Sequence, residues 1–352
     1  MQKLRFGIIG CGKIAERHAG IISILEEAEL TAVCDIAGEK AKELGEKYQA
    51  HWYASAREML EKEELDIVNI LTPSGNHAET LLDIADKVAN IIVEKPMALK
   101  LEDIDRMMDA CLKFKTNLFV VKQNRFNVPV KKLREAIEEG RFGKLVLGTA
   151  RVRWMRTQEY YDHDKWRGTW AMDGGVFANQ ASHHLDLLTW MMGDVESVMA
   201  MTARRLVDIE TEDTGIAVLR FKNGALGAIE ATTASRPKSL EGSISILGEK
   251  GSVEIGGYSA CEMKSWNFID CREGDSLVLG QWGRNPQHAH GFAHYEYIKN
   301  VIERVKEGKH HFTDGFVSRK SLEVIRAIHE SAMAKREITL SFKFDGAKLN
   351  AR

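Results

Sequence analysis

Leu4-Arg5-Phe6-Gly7-Ile8-Ile9-Gly10-Cys11-Gly12-Lys13-Ile14-Ala15 is the stretch that decides the fold. Its first half is an apolar run of strand length. Its second half is a glycine-punctuated turn opening a helix whose apolar side carries Ile14, Ile21, Ile22 and Leu25. The spacing is G-x-G-x-x-A. Gly10 permits a tight turn, Gly12 lets the backbone approach a pyrophosphate, and Ala15 keeps the helix close to the strand. The start of such a helix offers unpaired N–H groups and the positive end of its dipole to an anion. The bare pattern is common, but here a second apolar run, Leu30-Thr31-Ala32-Val33-Cys34, follows the helix and ends at Asp35. A carboxylate at that place accepts hydrogen bonds from the adenosine ribose and repels a 2′-phosphate. No arginine follows Asp35 directly. NAD is therefore the expected cofactor, ahead of NADP.

The alternation continues outward. An apolar run over 66–71 stops at Thr72-Pro73-Ser74, and Asn76-His77 opens the next helix. Ile91-Ile92-Val93 stops at Glu94-Lys95-Pro96, and a run over 118–121 follows a helical segment around 103–114. Repeated strand-helix alternation predicts an α/β Rossmann domain, a doubly wound parallel sheet. Right-handed crossovers bring its strand ends to one edge, where ligands collect. The dinucleotide is expected along Gly10, Cys11, Gly12, Lys13, Ile14 and Asp35. Leu71, Thr72, Pro73, Asn76 and His77 belong near its nicotinamide half, and Glu94, Lys95 and Gln123 close the crevice. His77 has an equal reading as a helix-start histidine packed on the sheet.

A chain of 352 residues is too long for one ordinary core and divides into two domains, 1–122 and 123–352. Basic and acidic residues nearly cancel, leaving a formal charge of −2, which gives no footprint for nucleic acid or an anionic membrane. Cys11, Cys34, Cys111, Cys261 and Cys271 are odd in number and scattered, a pattern suited to a reducing cytosol. The chain enters a strand within a few residues, leaving no room for a signal peptide, and no apolar run is long enough for a bilayer. A soluble, cytoplasmic protein is the expectation.

Beyond Gln123 the pattern changes. A helix over 130–139 precedes long strands with tight turns: 144–155, then 214–221 and 225–232 around Asn223-Gly224, then 243–247 and 252–255. Asn-Gly favours a type I′ turn. With late helices over 289–306 and 316–334, this predicts an α+β domain with a large, mostly antiparallel sheet packed closely on the first domain.

The densest chemistry lies in the second domain. Arg153-Trp154-Met155-Arg156, Tyr160-Tyr161-Asp162 and Trp166-Arg167 combine donors for phosphate or carboxylate with flat faces for a base or sugar. A subunit interface uses the same residue types. Asp173-Gly174-Gly175-Val176-Phe177-Ala178-Asn179-Gln180-Ala181-Ser182-His183 follows, with Asn179 and His183 one helical turn apart. Histidine is the usual proton-transfer side chain near neutral pH. His288, His290 and His294 suggest zinc only by spacing, with no acidic or cysteine partner nearby, so no metal is expected.

G-C-G-K-I-A, T-P-S-G-N-H, E-K-P, and G-G-x-x-x-N-x-x-x-H-x-x-D together resemble the glucose-fructose oxidoreductase / inositol dehydrogenase / rhizopine catabolism family. The resemblance spans essentially the whole chain, including the segment from Phe312 to Glu323. It implies that Lys95 and His183 are the catalytic pair. Within the family, K-Q-N-R-F-N from Lys122, Y-Y-D-H-D-K-W-R-G-T-W from Tyr160 and N-Q-A-S-H from Asn179 resemble the branch that oxidises UDP-N-acetylglucosaminuronic acid at C3. Many relatives acting on free polyols carry Asp where Asn179 stands.

The chemistry implied is transfer of a hydride from a secondary alcohol to the nicotinamide as the hydroxyl proton leaves. His183 is expected to accept the proton while Lys95, its pKa lowered near the cationic ring, orients the hydroxyl. Some of Arg125, Arg153, Arg156 and Arg167 are expected on the substrate's diphosphate and carboxylate. Tyr160, Tyr161 and Trp166 would shape its pockets, with Asn179 and Gln180 beside Lys95 and His183. A dehydrogenase of free sugars or inositol-like polyols is one alternative, and a non-catalytic dinucleotide-binding regulator is another. The resemblance also implies a homo-oligomer, tetramer or dimer, packed through the open face of the second sheet.

Overall fold

The computed structural model describes residues 3–309, 311 and 313–342. Phe312, where the last family-like segment begins, lies outside them. Six strands form the first sheet: β1 Leu4–Ile9, β2 Ala28–Cys34, β3 His51–Tyr53, β4 Ile67–Ile70, β5 Asn90–Val93 and β6 Asn117–Val120. Their order is β3-β2-β1-β4-β5-β6 with every pairing parallel. The chain winds outward from β1 in one direction and from β4 in the other, which opens a crevice at their carboxyl ends. β1, β4 and β5 are almost wholly buried, as strands covered on both faces must be.

Eight strands form the second sheet: β7 Leu145–Arg153, β8 Val195–Ala203, β9 Thr214–Phe221, β10 Leu226–Thr232, β11 Glu241–Gly248, β12 Gly251–Gly256, β13 Glu262–Phe268 and β14 Ile338–Thr339. The order is β13-β12-β11-β7-β10-β9-β8-β14, antiparallel except for β7 with β10. The helices Ser182–Met192 and Thr313–Ala334 cover one face and form the second core with Val152, Leu219, Phe221 and Ile246. The other face is open. Met199 pairs across with Val218 and Met201 with Ile216, and all four are exposed, Met201 to 80%.

Two local expectations change. A type I′ turn needs positive φ at both central residues, but of Asn223 and Gly224 only Gly224 has it, at 86°. Asn223 instead accepts a hydrogen bond at Oδ1 from Ala225 N (3.0 Å) and donates from Nδ2 to Met192 O (2.9 Å). These bonds fix a longer turn docked on the neighbouring helix. The late helix Phe292–Lys306 also leaves its sequence neighbours and packs Tyr297, Ile298, Val301 and Ile302 into the core of the first sheet with Phe6 and Ile8. The two sheets are thus tied together by a late helix that contributes its apolar side to the core of the first.

Candidate active site

The crevice is built from strand ends. Gly10 follows β1 at φ 97°, and a Cβ there would meet Leu71 C and Thr72 N at 2.7 Å, so only glycine lets the β1 and β4 loops approach so closely. A Cβ on Gly12, at the start of the helix Lys13–Ile24, would point into space with no atom within 4 Å. This open cradle at a helix N-terminus suits a pyrophosphate. Asp35 follows β2 and accepts from Cys11 N and Ala37 N, both at 2.8 Å, which holds its carboxylate at the crevice edge. Cys11, Lys13, Ile14, Leu71, Thr72, Pro73, Asn76 and His77 all line the same cavity. His77 is buried with its two ring nitrogens 2.9 Å from Pro96 O and 2.8 Å from Thr72 O, so it ties the β4 and β5 end loops together.

Lys95, just past β5, meets His183 of the second domain in this cavity. Its Nζ donates to Asn179 O (2.8 Å) and Asn179 Oδ1 (3.0 Å). Asn179 lies in a π-turn, Val176–Gln180, before the helix Ser182–Met192 begins. The widened turn re-aims the Asn179 carbonyl, which also accepts from Ser182 Oγ (3.2 Å). His183 Nε2 lies 2.9 Å from Gln123 Nε2, the first residue past β6 to reach the crevice. Burial, and then the charge of Lys95, hold the His183 imidazole down to about 3, so it is neutral at physiological pH. Burial likewise lowers Lys95 from its ordinary value, against the opposing pull of Glu94 and Asp173. Burial alone would raise the Glu94 carboxyl, but the hydrogen bond from His18 brings it down to about 2.

Arg156, Tyr160, Trp166, Arg167 and Gln180 line the wall opposite the fingerprint. The Arg156 guanidinium lies 5.3 Å from the Trp154 ring centroid and 5.0 Å from that of Tyr160, and donates to Tyr258 Oη (3.1 Å). Its Nε is buried without an acceptor among the described residues. Arg167 is sandwiched by Tyr160 and Trp166, each centroid 4.5 Å away, and bonds Tyr160 Oη (2.6 Å) and Asp164 (2.9 Å). Tyr258, stacked on Trp154 at 4.7 Å, and Asn285 also face the cavity and were missed in the sequence. The glycine pair before Tyr258 was the only local signal.

Three expected substrate residues are not brought to the cavity. Arg125 donates to Asp186 from Nε (2.7 Å) and Nη2 (2.8 Å), and Lys122 Nζ joins at 2.9 Å. A buried carboxylate needs such partners, and the triad thereby clamps the Gln123 turn to the His183 helix. Arg153 lies on the open face of the second sheet, gripped by Glu230 (2.6 Å, two bonds) and Glu241 (3.1 Å). Tyr161 is buried with Val207 and Ile209, its hydroxyl 3.2 Å from Thr233 Oγ1.

His294 parts from His288 and His290 and meets His18 and Glu94, each offering a ligand atom within 4.8 Å of the others. His18 Nε2 donates to Glu94 (3.2 Å), while Asn69 Nδ2 donates to His18 Nδ1 (3.0 Å). Both ring nitrogens of His18 are thus already satisfied by hydrogen bonds. Among the described residues no helix is long and apolar enough to cross a membrane.

A dinucleotide cradle facing a lysine-histidine pair across two domains defines a dinucleotide-dependent oxidoreductase. Residues 4–122 match the oxidoreductase family, NAD-binding Rossmann fold, and residues 130–254 match the GFO/IDH/MocA C-terminal domain. The chain belongs to the GFO/IDH/MocA family of oxidoreductases, and its cofactor is NAD. Two solved relatives are similar over nearly their whole length. The WlbA dehydrogenase of Chromobacterium violaceum, in complex with NADH and UDP-GlcNAcA, is 42% identical with a TM-score of 0.90, over 98% of both chains. The Bordetella pertussis WlbA dehydrogenase, in complex with the same two ligands, is 39% identical with a TM-score of 0.88, over 97% of this chain and 98% of its own. The myo-inositol 2-dehydrogenase of Thermotoga maritima is 28% identical over 354 aligned positions, 96% of this chain and 98% of its own.

Proposed function

We propose that the protein oxidises a secondary hydroxyl of a nucleotide sugar to a ketone, at C3 of a UDP-N-acetylglucosaminuronate-type substrate, for cell-surface polysaccharide synthesis in the cytoplasm. The observation that carries this reading is Arg156. It is a cavity guanidinium among aromatic rings and has no carboxylate partner among the described residues. Such a group awaits a phosphate or carboxylate. The cavity supports the reading by size: at 1860 Å³ it exceeds the roughly 300–1,000 Å³ of a pocket for one ligand. Similarity to two proteins crystallised with UDP-GlcNAcA points the same way.

NAD, held by the Gly10–Ala15 turn and Asp35, supplies the hydride acceptor. The protein's own residues handle the proton. The sequence pattern led to His183 as its acceptor; we assign it instead to Lys95. His183 resists protonation in a buried site beside a cation. Lys95 is the intrinsically stronger base, burial already biases it toward the neutral amine, and the cationic ring of NAD adds to that bias. Lys95 accepts the hydroxyl proton as the C–H bond breaks, becoming an ammonium that Asn179 holds. Neutral His183, oriented by Gln123, hydrogen-bonds the reacting oxygen.

Denaturing the purified protein, identifying any released dinucleotide, and then comparing UDP-sugars with free sugars for NAD reduction tests the substrate class. Faster turnover of free sugars or inositol would favour the polyol reading that the Thermotoga relative suggests. We also propose a homo-oligomer closed through the open sheet face, where exposed Met199, Met201, Ile216 and Val218 form one apolar patch.

A further inference from the structure

Asp173 is only 2% exposed and lies one side chain from Lys95. Its Oδ1 accepts from Asn179 Nδ2 and its Oδ2 accepts from Gly168 N (3.0 Å). The chain of contacts is therefore Gly168–Asp173–Asn179–Lys95. The polarity of the middle amide follows from chemistry. A carboxylate only accepts, so Asn179 must turn Nδ2 to Asp173, which leaves Oδ1 to accept from Lys95. An uncharged residue in place of Asp173 would not impose that choice.

We propose that Asp173 is a positioning residue for proton transfer: through the Asn179 amide it fixes the two acceptors of Lys95, so that the neutral amine keeps its lone pair toward the substrate hydroxyl. This rests on the reading of Lys95 as the proton acceptor. A neutral amine has two N–H bonds and one lone pair. The two donors are taken by Asn179 O at 2.8 Å and Asn179 Oδ1 at 3.0 Å. The remaining tetrahedral direction is open to the cavity that Lys95 lines. Asp173 also supplies, one amide removed, the negative charge that a polyol-type aspartate at position 179 would place in direct contact. Because its other oxygen holds Gly168, between Arg167 and Thr169, the carboxylate ties the aromatic substrate loop to the catalytic lysine.

The test moves the charge along this chain. In Asp173→Asn, only one of the two atoms facing Gly168 N and Asn179 Nδ2 remains an oxygen, so one of these bonds is lost together with the charge. In the double variant Asp173→Asn/Asn179→Asp every bond can re-form: Asn at 173 accepts from Gly168 N and donates to the new carboxylate, which accepts from Lys95. The readout is the titration midpoint of Lys95, measured by competitive acetylation of the NAD-loaded enzyme and mass spectrometry, which needs no substrate. A nearby negative charge favours the ammonium form, so the midpoint should fall in the order double variant, wild type, Asp173→Asn, with steps of about one pH unit. The acid limb of kcat/KM should move the same way. At its plateau kcat should drop tenfold or more in Asp173→Asn, with KM little changed, and recover in the double variant. If Asp173→Asn does not fold, a double variant whose midpoint is not above wild type overturns the proposal, as does an unmoved midpoint in a folded Asp173→Asn. The expected order without turnover of any UDP-sugar would leave this proposal standing and refute the substrate reading.

Discussion

Asp186→Ala separates a scaffold role for Arg125 from the substrate role its sequence position suggested. The side chains of Asp186, Lys122 and Arg125 are 9%, 11% and 18% exposed, and the carboxylate takes bonds of 2.9, 2.7 and 2.8 Å from the two cations. Removing it leaves two largely buried positive charges without a counter-ion, a loss of about 3–5 kcal/mol. At roughly 2–4 °C per kcal/mol for a domain of this size, Tm falls by roughly 6–20 °C. The pH dependence has a definite sign. Burial alone would raise the Asp186 carboxyl, but Lys122 and Arg125 depress it well below its ordinary value. Its contribution is therefore present above the unfolded carboxylate pKa and is lost as pH falls toward the folded value. The variant should show a flatter decline of stability between about pH 5 and pH 2. Arg125→Met should likewise lower Tm while leaving KM for the substrate near wild type, and replacing all three residues with apolar ones should recover most of the stability. Thermal unfolding monitored by circular dichroism, with steady-state kinetics on the same samples, decides it. A loss under about 1 kcal/mol for Asp186→Ala, or an Arg125→Met whose KM rises at unchanged Tm, would refute the scaffold argument.

Lys95→Ala and His183→Ala should each lower kcat by about 10²–10⁴ with dinucleotide affinity retained in fluorescence titration; near wild-type turnover in both would misplace the site. Because His183 is held down to about 3, kcat/KM should show no histidine limb between pH 5 and 8. Instead kcat/KM should rise with pH through a lysine limb below the ordinary value of 10.5. A limb that survives in Lys95→Arg contradicts the assignment. Asp35→Ala removes the carboxylate at the end of the cofactor crevice and should narrow the preference for NAD over NADP by about tenfold or more in binding assays. Met201→Glu places a charge in the centre of the apolar sheet face and should shift sedimentation toward the monomer. An unchanged assembly would put the interface elsewhere.

The first sheet was legible because its signals are local. Apolar runs, their abrupt stops at Gly10, Asp35, Thr72 and Glu94, and the two-glycine turn are all fixed by backbone geometry within a few residues. Lys95 could be placed at the crevice by topology alone, since parallel strands end on one edge. The arginines show the opposite case. Arg125, Arg153, Arg156 and Arg167 look alike in sequence. Register across the second sheet sets Arg153 opposite Glu241, and the packing of the His183 helix delivers Asp186 to Arg125. Only Arg156 and Arg167 remain at the cavity. Tyr258 arrives there on the turn between β12 and β13 of the second sheet, and His294 on a helix packed against the core of the first.

What the sequence determined by itself was the Rossmann half and the cofactor, because a dinucleotide cradle is a local backbone device. The tertiary structure decided which cations stay unpaired, how the Asn179 amide is turned, and which carboxylate stands behind it. Each of those depends on the partner that long-range packing brings within about 3 Å, and hydrogen-bond strength falls steeply beyond that distance.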